Sequence, residues 1–239
     1  MKKLLSSMLL LAIIFTLLTP TALANSNADV PEGFIVIKEY DQQEKILSKK
    51  ATLNVEAPKI ENASLVNMET GEEVIPEVIE NSVRPIKDLM NKNTGEITTL
   101  YAADFTIMST SGRKSGNSGN NDAYVKFYVT MYYYWTGPSN TYITLDKVDY
   151  RWEITYDPNN NLSIEYAKMF IKQYGPSENN GGQLQSKEVD IKSTSGTVLV
   201  RDWDWHPVLE DGLGYVISCE TTASIYARGV WSFSYLFGL

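Results

Sequence analysis

The sequence contains only one cysteine, Cys219, and only one histidine, His206. A single cysteine excludes an internal disulfide, so packing must hold the fold together. A single histidine excludes a histidine-rich zinc site. The sequence also lacks a glycine-rich phosphate loop and a nucleophile elbow around any serine. We therefore expect no metal, no cofactor and no catalytic residue, and the sequence favours a protein that is not an enzyme.

Basic residues are also scarce, with 21 lysines and arginines against 29 aspartates and glutamates, for a net charge of −8. An acidic protein is repelled by nucleic acids and by anionic lipid surfaces. After residue 24 the chain has no long apolar segment and no cysteine suited to lipid attachment. We expect no nucleic-acid partner and no stable membrane anchor.

The N-terminus has the layout of a secretory signal peptide. Lys2 and Lys3 precede an apolar run over 4–18, and the small residues Ala22 and Ala24 occupy the positions that a signal peptidase reads. The run is about 15 residues long, shorter than the roughly 20 that span a bilayer. We expect cleavage between Ala24 and Asn25 and a secreted, extracellular protein, or a periplasmic one in a Gram-negative cell. The excess of lysine over arginine, 16 to 5, is typical of a bacterial protein, and the style of the leader favours a Gram-positive one.

Residues 25–103 form an acidic segment that contains no tryptophan and little other aromatic character. Low aromatic content and excess charge favour weak order, so we predict a pro-region, a spacer or a small subdomain. Short β-prone runs occur at 34–37 and 52–55, and Pro85 suits the first turn of a short helix over 85–91. Residues 69–72 (Glu-Thr-Gly-Glu) and 93–96 (Asn-Thr-Gly-Glu) are similar to each other and are typical of turns with glycine at positive φ.

Residues 104–239 have a different character, because they hold all five tryptophans and 13 of the 15 tyrosines. Apolar and polar residues alternate with period two, which predicts β-strands. The predicted strands cover 105–109, 123–135, 142–156, a segment opening at Leu162, 188–191, 197–203, 214–227 and 230–237. About eight such strands, with no helix between them, predict an all-β domain built as an antiparallel β-sandwich.

Two details of the alternation are informative. The apolar phase slips at Asp146-Lys147 and again near Ala167, as a β-bulge would cause. Cys219 shares the apolar face of the strand over 214–227, which predicts a buried thiol. A buried thiol stays protonated, and this argues against a Cys219–His206 catalytic dyad.

The densest polar cluster is the run Arg201-Asp-Trp-Asp-Trp-His206. On a strand, Trp203 and Trp205 would share one face, and Asp202 and Asp204 would share the other. The simplest interpretation places both tryptophans in the core and leaves the aspartates solvated beside Arg201. A second interpretation is a binding site for sugars, formed by Trp203, Asp204 and Trp205. A third is acid–base catalysis by paired carboxylates.

A tyrosine stripe, formed by Tyr124, Tyr128, Tyr132 and Tyr134, lies on the polar side of the strand over 123–135. Exposed aromatic surface often marks a binding site. A loop or the N-terminal region could instead cover these rings, or they could simply form favourable cross-strand pairs. We take Tyr128, Tyr132 and Tyr134 as candidate binding residues.

Together these features predict a secreted, non-enzymatic β-sandwich protein that binds a cell-wall glycan or a protein outside the cell. One alternative is a secreted polysaccharide hydrolase that uses Asp202, Asp204 or Glu210. Another is a toxin or bacteriocin whose strands insert into membranes, with residues 25–103 as an inhibitory pro-segment.

Overall fold

The structure, a computed structural model, describes most of the chain after residue 29: residues 30–40, 59–111, 123–137, 141–157, 160, 162–177, 180–209, 216–226 and 230–239. The predicted signal peptide, its cleavage site at Ala24 and Asn25, and the β-prone run at 52–55 lie outside the described residues. Within the described ranges, no helix is long and apolar enough to cross a membrane.

The described chain consists almost entirely of antiparallel strands. In chain order they are β1 (Phe34–Glu39), β2 (Lys59–Asn67), β3 (Glu73–Val74), β4 (Glu77–Asn91), β5 (Ile97–Ser111), β6 (Ala123–Thr136), β7 (Tyr142–Tyr156), β8 (Ser163–Ser177), β9 (Asn180–Asp190), β10 (Ser195–Leu199), β11 (Val208–Leu209), β12 (Ile217–Tyr226) and β13 (Val230–Gly238). A short 3-10 helix, Val200–Trp203, follows β10.

The strands form one hydrogen-bonded sheet with two halves. In the first half, β1, β4, β5, β6 and β7 are neighbours in that order, and β10 adds to β7. In the second half the order is β9, β8, β12, β13, β2, β3. The two-residue strand β11 joins the halves, because Val208 pairs with Ile143 of β7 and with Ser177 of β8.

The two halves pack face to face through an aromatic core. Phe127 of β6 stacks on Phe233 of β13 with ring centres 4.1 Å apart, and Phe105 of β5 lies 4.2 Å from Phe237 of β13. These strands are not neighbours in the sheet, so the contacts span the space between the halves. Burying each such side chain contributes about 1.5–3 kcal/mol. The all-β, antiparallel prediction is therefore confirmed.

Several predicted elements match the structure closely. The predicted strand over 142–156 has the bounds of β7, and that over 123–135 differs from β6 by one residue. The described parts of the acidic segment, 30–40 and 59–103, supply β1 to β4 and the first residues of β5, so the predicted division between residues 103 and 104 lies within one strand.

The predicted helix over 85–91 is wrong, because these residues complete β4. Cross-strand pairing with β5 outweighs the local preference of these residues for a short helix. Pro85 lacks an N–H, and it is tolerated because the register between β4 and β5 shifts between Pro85 and Lys87. The strand predicted to open at Leu162 corresponds to β8, which continues to Ser177, and the strand predicted over 188–191 is the end of β9, which begins at Asn180.

Both predicted phase slips are β-bulges. Tyr132 pairs with Lys147 and Tyr133 with Leu145, so Asp146 is the extra residue of β7. Lys168 pairs with Thr222 and Glu165 with Ser224, which leaves an extra residue in β8 next to Ala167. Bulges re-aim side chains locally, and Asp146 is re-aimed into the protein, where it is fully buried.

The two similar tetrapeptides close hairpin loops with the same hydrogen bonds. In the first, the Asn67 side-chain oxygen accepts bonds from the N–H groups of Glu69 and Thr70. In the second, Asn91 does the same with the N–H groups of Asn93 and Thr94. Gly71 and Gly95 have φ of 71° and 73°. The turn prediction is confirmed. The side chain of the asparagine that opens each turn stabilises it by accepting these two N–H groups.

Replacing Gly71 or Gly95 by alanine tests these turns. We expect each change to lower the free energy of unfolding by about 1 kcal/mol, since a Cβ is unfavourable at positive φ. At both positions the added methyl group would meet no other atom within 4 Å, so the cost is conformational rather than steric. Urea unfolding measures it, with Gly71→Asn and Gly95→Asn as controls that tolerate this φ better. An alanine variant as stable as the unmodified protein would contradict the interpretation.

Cys219 lies in the core, as predicted, with no exposed surface. Burial raises the pKa of its thiol far above the usual value. His206 is exposed on a different element. A dyad between these two residues would require a reactive, accessible thiolate, and this environment disfavours one.

Candidate functional site

The candidate tyrosines lie along the outward face of β6, and their exposure decreases along the strand. Tyr128 and Tyr132 are partly buried, whereas Tyr134 is only 8% exposed. The side chain of Tyr124 lies outside the described ones. The stripe is therefore not a uniformly open aromatic surface.

Tyr134 is covered by the N-terminal part of the chain. Its ring meets Phe34 of β1 edge to face, with centres 5.5 Å apart. Ile86, Leu89 and Leu100 complete this second, smaller apolar cluster. Of the interpretations left open by the sequence, covering by the N-terminal region describes Tyr134.

Cations from β7 lie over the rings of the other two tyrosines. The guanidinium carbon of Arg151 is 4.1 Å from the Tyr128 ring centre, and Lys147 Nζ is 4.4 Å from that of Tyr132. Tyr128 also donates its hydroxyl to Glu153 Oε2 at 3.1 Å. Both are cross-strand pairs, and in each pair the cation covers one face of the tyrosine ring.

Both hydroxyls remain protonated well above neutral pH. Partial burial, followed by the bond to Glu153, raises the pKa of Tyr128. Burial, followed by the nearby Asp149 carboxylate, raises the pKa of Tyr132 well above its ordinary value. This surface therefore offers neutral hydroxyl groups beside charged groups.

A row of carboxylates and hydroxyls crosses the same face. Asp104, Thr130, Asp149 and Thr197 stand opposite one another on β5, β6, β7 and β10. Thr130 Oγ1 donates to Asp104 at 2.7 Å, and Thr197 Oγ1 donates to Asp149 at 2.6 Å. The register of four strands therefore creates a polar row beside Tyr128 and Tyr132.

The predicted strand over 197–203 is only partly correct. β10 ends at Leu199, Val200–Trp203 forms the 3-10 helix, and Asp204 has φ of 56°, in the left-handed region. The prediction that Asp202 and Asp204 share one strand face is therefore wrong. The polar cluster belongs to the connection between β10, which pairs with β7, and β11, which joins the two halves. We call residues 200–207 the tryptophan loop.

Within the tryptophan loop, the two indoles lie between the core and the surface. Trp203 and Trp205 are half-buried and pack against the main core, with ring centres 5.0 Å apart in an edge-to-face contact. Lys187 of β9 places Nζ 4.5 Å from the Trp203 ring centre. Asp202 and Asp204 are exposed beside them. Part of each indole therefore remains at the surface next to carboxylates.

Two glutamines hold the tryptophan loop in place. The carbonyl of His206 accepts bonds from Gln173 Nε2 at 2.7 Å and from Gln185 Nε2 at 2.8 Å. Gln185 also accepts a bond from the His206 N–H, at 2.6 Å. Gln173 is completely buried, and its Oε1 accepts the N–H of Leu145 in β7 at 2.8 Å. Gln173 of β8 thus connects the loop to both halves of the fold.

A buried ion pair brings the tryptophan loop and the tyrosine stripe together. Arg201 Nη2 lies 3.1 Å from Oδ2 of Asp146, the bulge residue of β7. Burial raises the pKa of Tyr134, the negative charge of Asp146 raises it further, and Arg201 partly opposes this. The sequence places Arg201 beside Asp202 and Asp204, but its carboxylate partner in the structure is Asp146.

The two candidate clusters, 70 residues apart in sequence, are therefore connected through β7, which pairs with β10 and supplies the Asp146 partner of Arg201. We use the name tyrosine–tryptophan surface for the candidate side chains of the two clusters and their neighbours on β7 and β10: Tyr128, Tyr132, Lys147, Asp149, Arg151, Thr197, Trp203, Asp204 and Trp205. Sequence reasoning missed Asp146 and Gln173. The phase slip marked Asp146, but nothing in the local pattern marked Gln173.

Among the described residues, no group of three or more His, Cys, Asp or Glu side chains is arranged to hold a metal ion. Glu210, one of the residues considered for a hydrolase, lies outside the described part of the chain. Comparison with known protein families, curated proteins and solved structures finds no match to this chain.

Proposed function

We propose that this protein is an exported, non-enzymatic binding protein that contacts its ligand through the tyrosine–tryptophan surface. The observation that carries the proposal is the connection of two aromatic and charged clusters through the Asp146–Arg201 pair and the pairing of β10 with β7. Binding residues are commonly found on loops that a rigid scaffold positions. Here the scaffold is the sheet, and the two glutamines position the tryptophan loop on it.

A binding role suits the chemistry of this surface better than catalysis. A carboxylic acid that donates a proton at neutral pH is ordinarily kept in an apolar site. Asp202 and Asp204 are instead exposed, and the left-handed turn at Asp204 removes the strand geometry that would pair them. The leader sequence supports a ligand outside the cell.

Retention on purified Gram-positive cell walls and on a glycan array tests the proposal. We expect binding by the unmodified protein and at least a roughly tenfold loss for Tyr128→Ala combined with Thr197→Ala, or about 1.4 kcal/mol. Both side chains lie at the surface, so the fold should survive, and circular dichroism verifies this.

Ser186→Ala combined with Ser232→Ala is the matched control, because these exposed hydroxyls lie on β9 and β13 of the other half. The control should bind like the unmodified protein. Absence of retention on every wall and glycan, or equal losses in both double variants, would count against the proposed function.

A further inference from the structure

Four cations of the tyrosine–tryptophan surface and its surroundings are paired with carboxylates. Arg84 Nε lies 2.6 Å from Asp104, Lys147 Nζ 3.9 Å from Asp149, and Arg151 Nη2 3.7 Å from Glu153. The buried pair Arg201–Asp146 likewise joins one cation to one carboxylate. Each of these four cations thus lies within 3.9 Å of a carboxylate.

This pairing disfavours an anionic ligand. A phosphate or carboxylate group binds where cations are available to it, ideally in a bidentate geometry. On this surface a negative ligand would have to displace a carboxylate from each cation. The exposed Asp202 and Asp204 would add repulsion, as would the net charge of −10 that remains after Lys2 and Lys3 are subtracted from −8.

The hydroxyl groups beside these pairs suit a polyhydroxyl ligand, because a hydroxyl that donates its hydrogen to a carboxylate keeps oxygen lone pairs that can accept from a sugar hydroxyl. Tyr128, Thr130 and Tyr132 place hydroxyls along β6, and Thr197 places one on β10. The carboxylates of Asp104 on β5 and Asp149 on β7 are interleaved with them. Carboxylates accept hydrogen bonds from sugar hydroxyls. In the tryptophan loop, which follows β10, the half-buried Trp203 and Trp205 add apolar ring surface next to Asp204 in the chain.

From this pairing of charges we infer, on the basis of the proposed function, that the occupant of the tyrosine–tryptophan surface is a neutral polysaccharide chain of the bacterial cell envelope. Acidic wall polymers such as teichoic acids do not fit this surface. Recognition uses hydroxyl–carboxylate hydrogen bonds and indole contacts rather than charge attraction.

Two measurements test this inference on the full-length secreted protein: the dependence of binding on salt concentration, and binding to walls from which the phosphate polymers have been removed. The probes are Gram-positive cell walls before and after hydrofluoric acid extraction of their phosphate polymers, together with soluble neutral glucans, mannans and chitin oligosaccharides. We expect retention to survive extraction, to change less than about twofold between roughly 50 and 500 mM NaCl, and to be competed by at least one neutral polymer, because uncharged ligands are not screened.

The direction in which Asp204→Asn changes the affinity distinguishes a neutral ligand from an anionic one. If the ligand is neutral, weakening an acceptor lowers affinity, by about threefold to tenfold. If the ligand is anionic, removing a repelling charge raises affinity. Asparagine also tolerates a φ of 56°, so the loop conformation is kept. Glu165→Gln, which removes an exposed carboxylate from β8, is the matched control and should leave affinity unchanged.

Binding that disappears after phosphate removal, that falls more than about tenfold with salt, or that strengthens in Asp204→Asn would overturn the inference while the proposed binding function stands. Absence of retention on walls and on every glycan would instead remove both.

Discussion

Arg201→Met is expected to lower the free energy of unfolding by about 3–5 kcal/mol, because it leaves the carboxylate of Asp146 buried without its cation. Asp146 has no exposed surface, and the Arg201 side chain is only 16% exposed. The loss should appear as a lower midpoint of urea unfolding with an unchanged slope. Ligand retention should fall as well, because the pair ties the tryptophan loop to β7.

A double variant separates two quantities: the destabilisation caused by removing Arg201 alone, and the net contribution of the Arg201–Asp146 ion pair to the free energy of unfolding. Asp146→Leu combined with Arg201→Met removes both charges, and we expect it to recover most of the stability lost in Arg201→Met. Lys187→Met is a comparison in which a cation is removed from an exposed position, where the effect should stay below about 0.5 kcal/mol. If Arg201→Met is no less stable than Lys187→Met, the pair does not hold the loop.

Gln173→Leu is the second change with a large expected effect. It leaves the N–H of Leu145 without its side-chain acceptor and the His206 carbonyl with only the partly exposed Gln185. Unsatisfied buried polar groups cost about 1–3 kcal/mol each, so we expect a loss of about 2–5 kcal/mol. Thermal or urea unfolding measures this.

Gln185→Leu is the matched comparison, because it removes a more exposed glutamine that bonds to the same carbonyl. We expect a loss of about 0.5–1.5 kcal/mol. Hydrogen exchange provides a second measurement: the Leu145 amide should lose protection in Gln173→Leu but keep it in Gln185→Leu. Equal losses of stability in the two variants would show that Gln173 does not connect the loop to both halves.

The long strands could be predicted because each carries its own signal. In β6 and β7 the alternation of apolar and polar residues runs almost without interruption, and the slip at Asp146 is visible as a break in phase. The hairpin turns are visible because positive φ favours glycine at these positions. Burial of Cys219 follows from the same period of two.

Other features depend on partners far away in the sequence. Residues 85–91 have a local pattern compatible with a helix, and only pairing with β5 makes them a strand. The tryptophan loop alternates like a strand, but the Arg201–Asp146 pair and Gln173 fix it in another conformation. No local pattern in 200–207 specifies the distant residues that bind it, so the connection of the two clusters was not predictable.

The pairing of β2 with β13 has a consequence for how the chain is made. Leu65 lies opposite Phe233, and both are fully buried. A ribosome synthesises Leu65 long before Phe233, so the second half of the sheet cannot close until the final residues emerge. Until then the chain lacks the strand that completes its core. If the chain is exported as we propose, it can pass through a translocation channel before β13 completes this sheet.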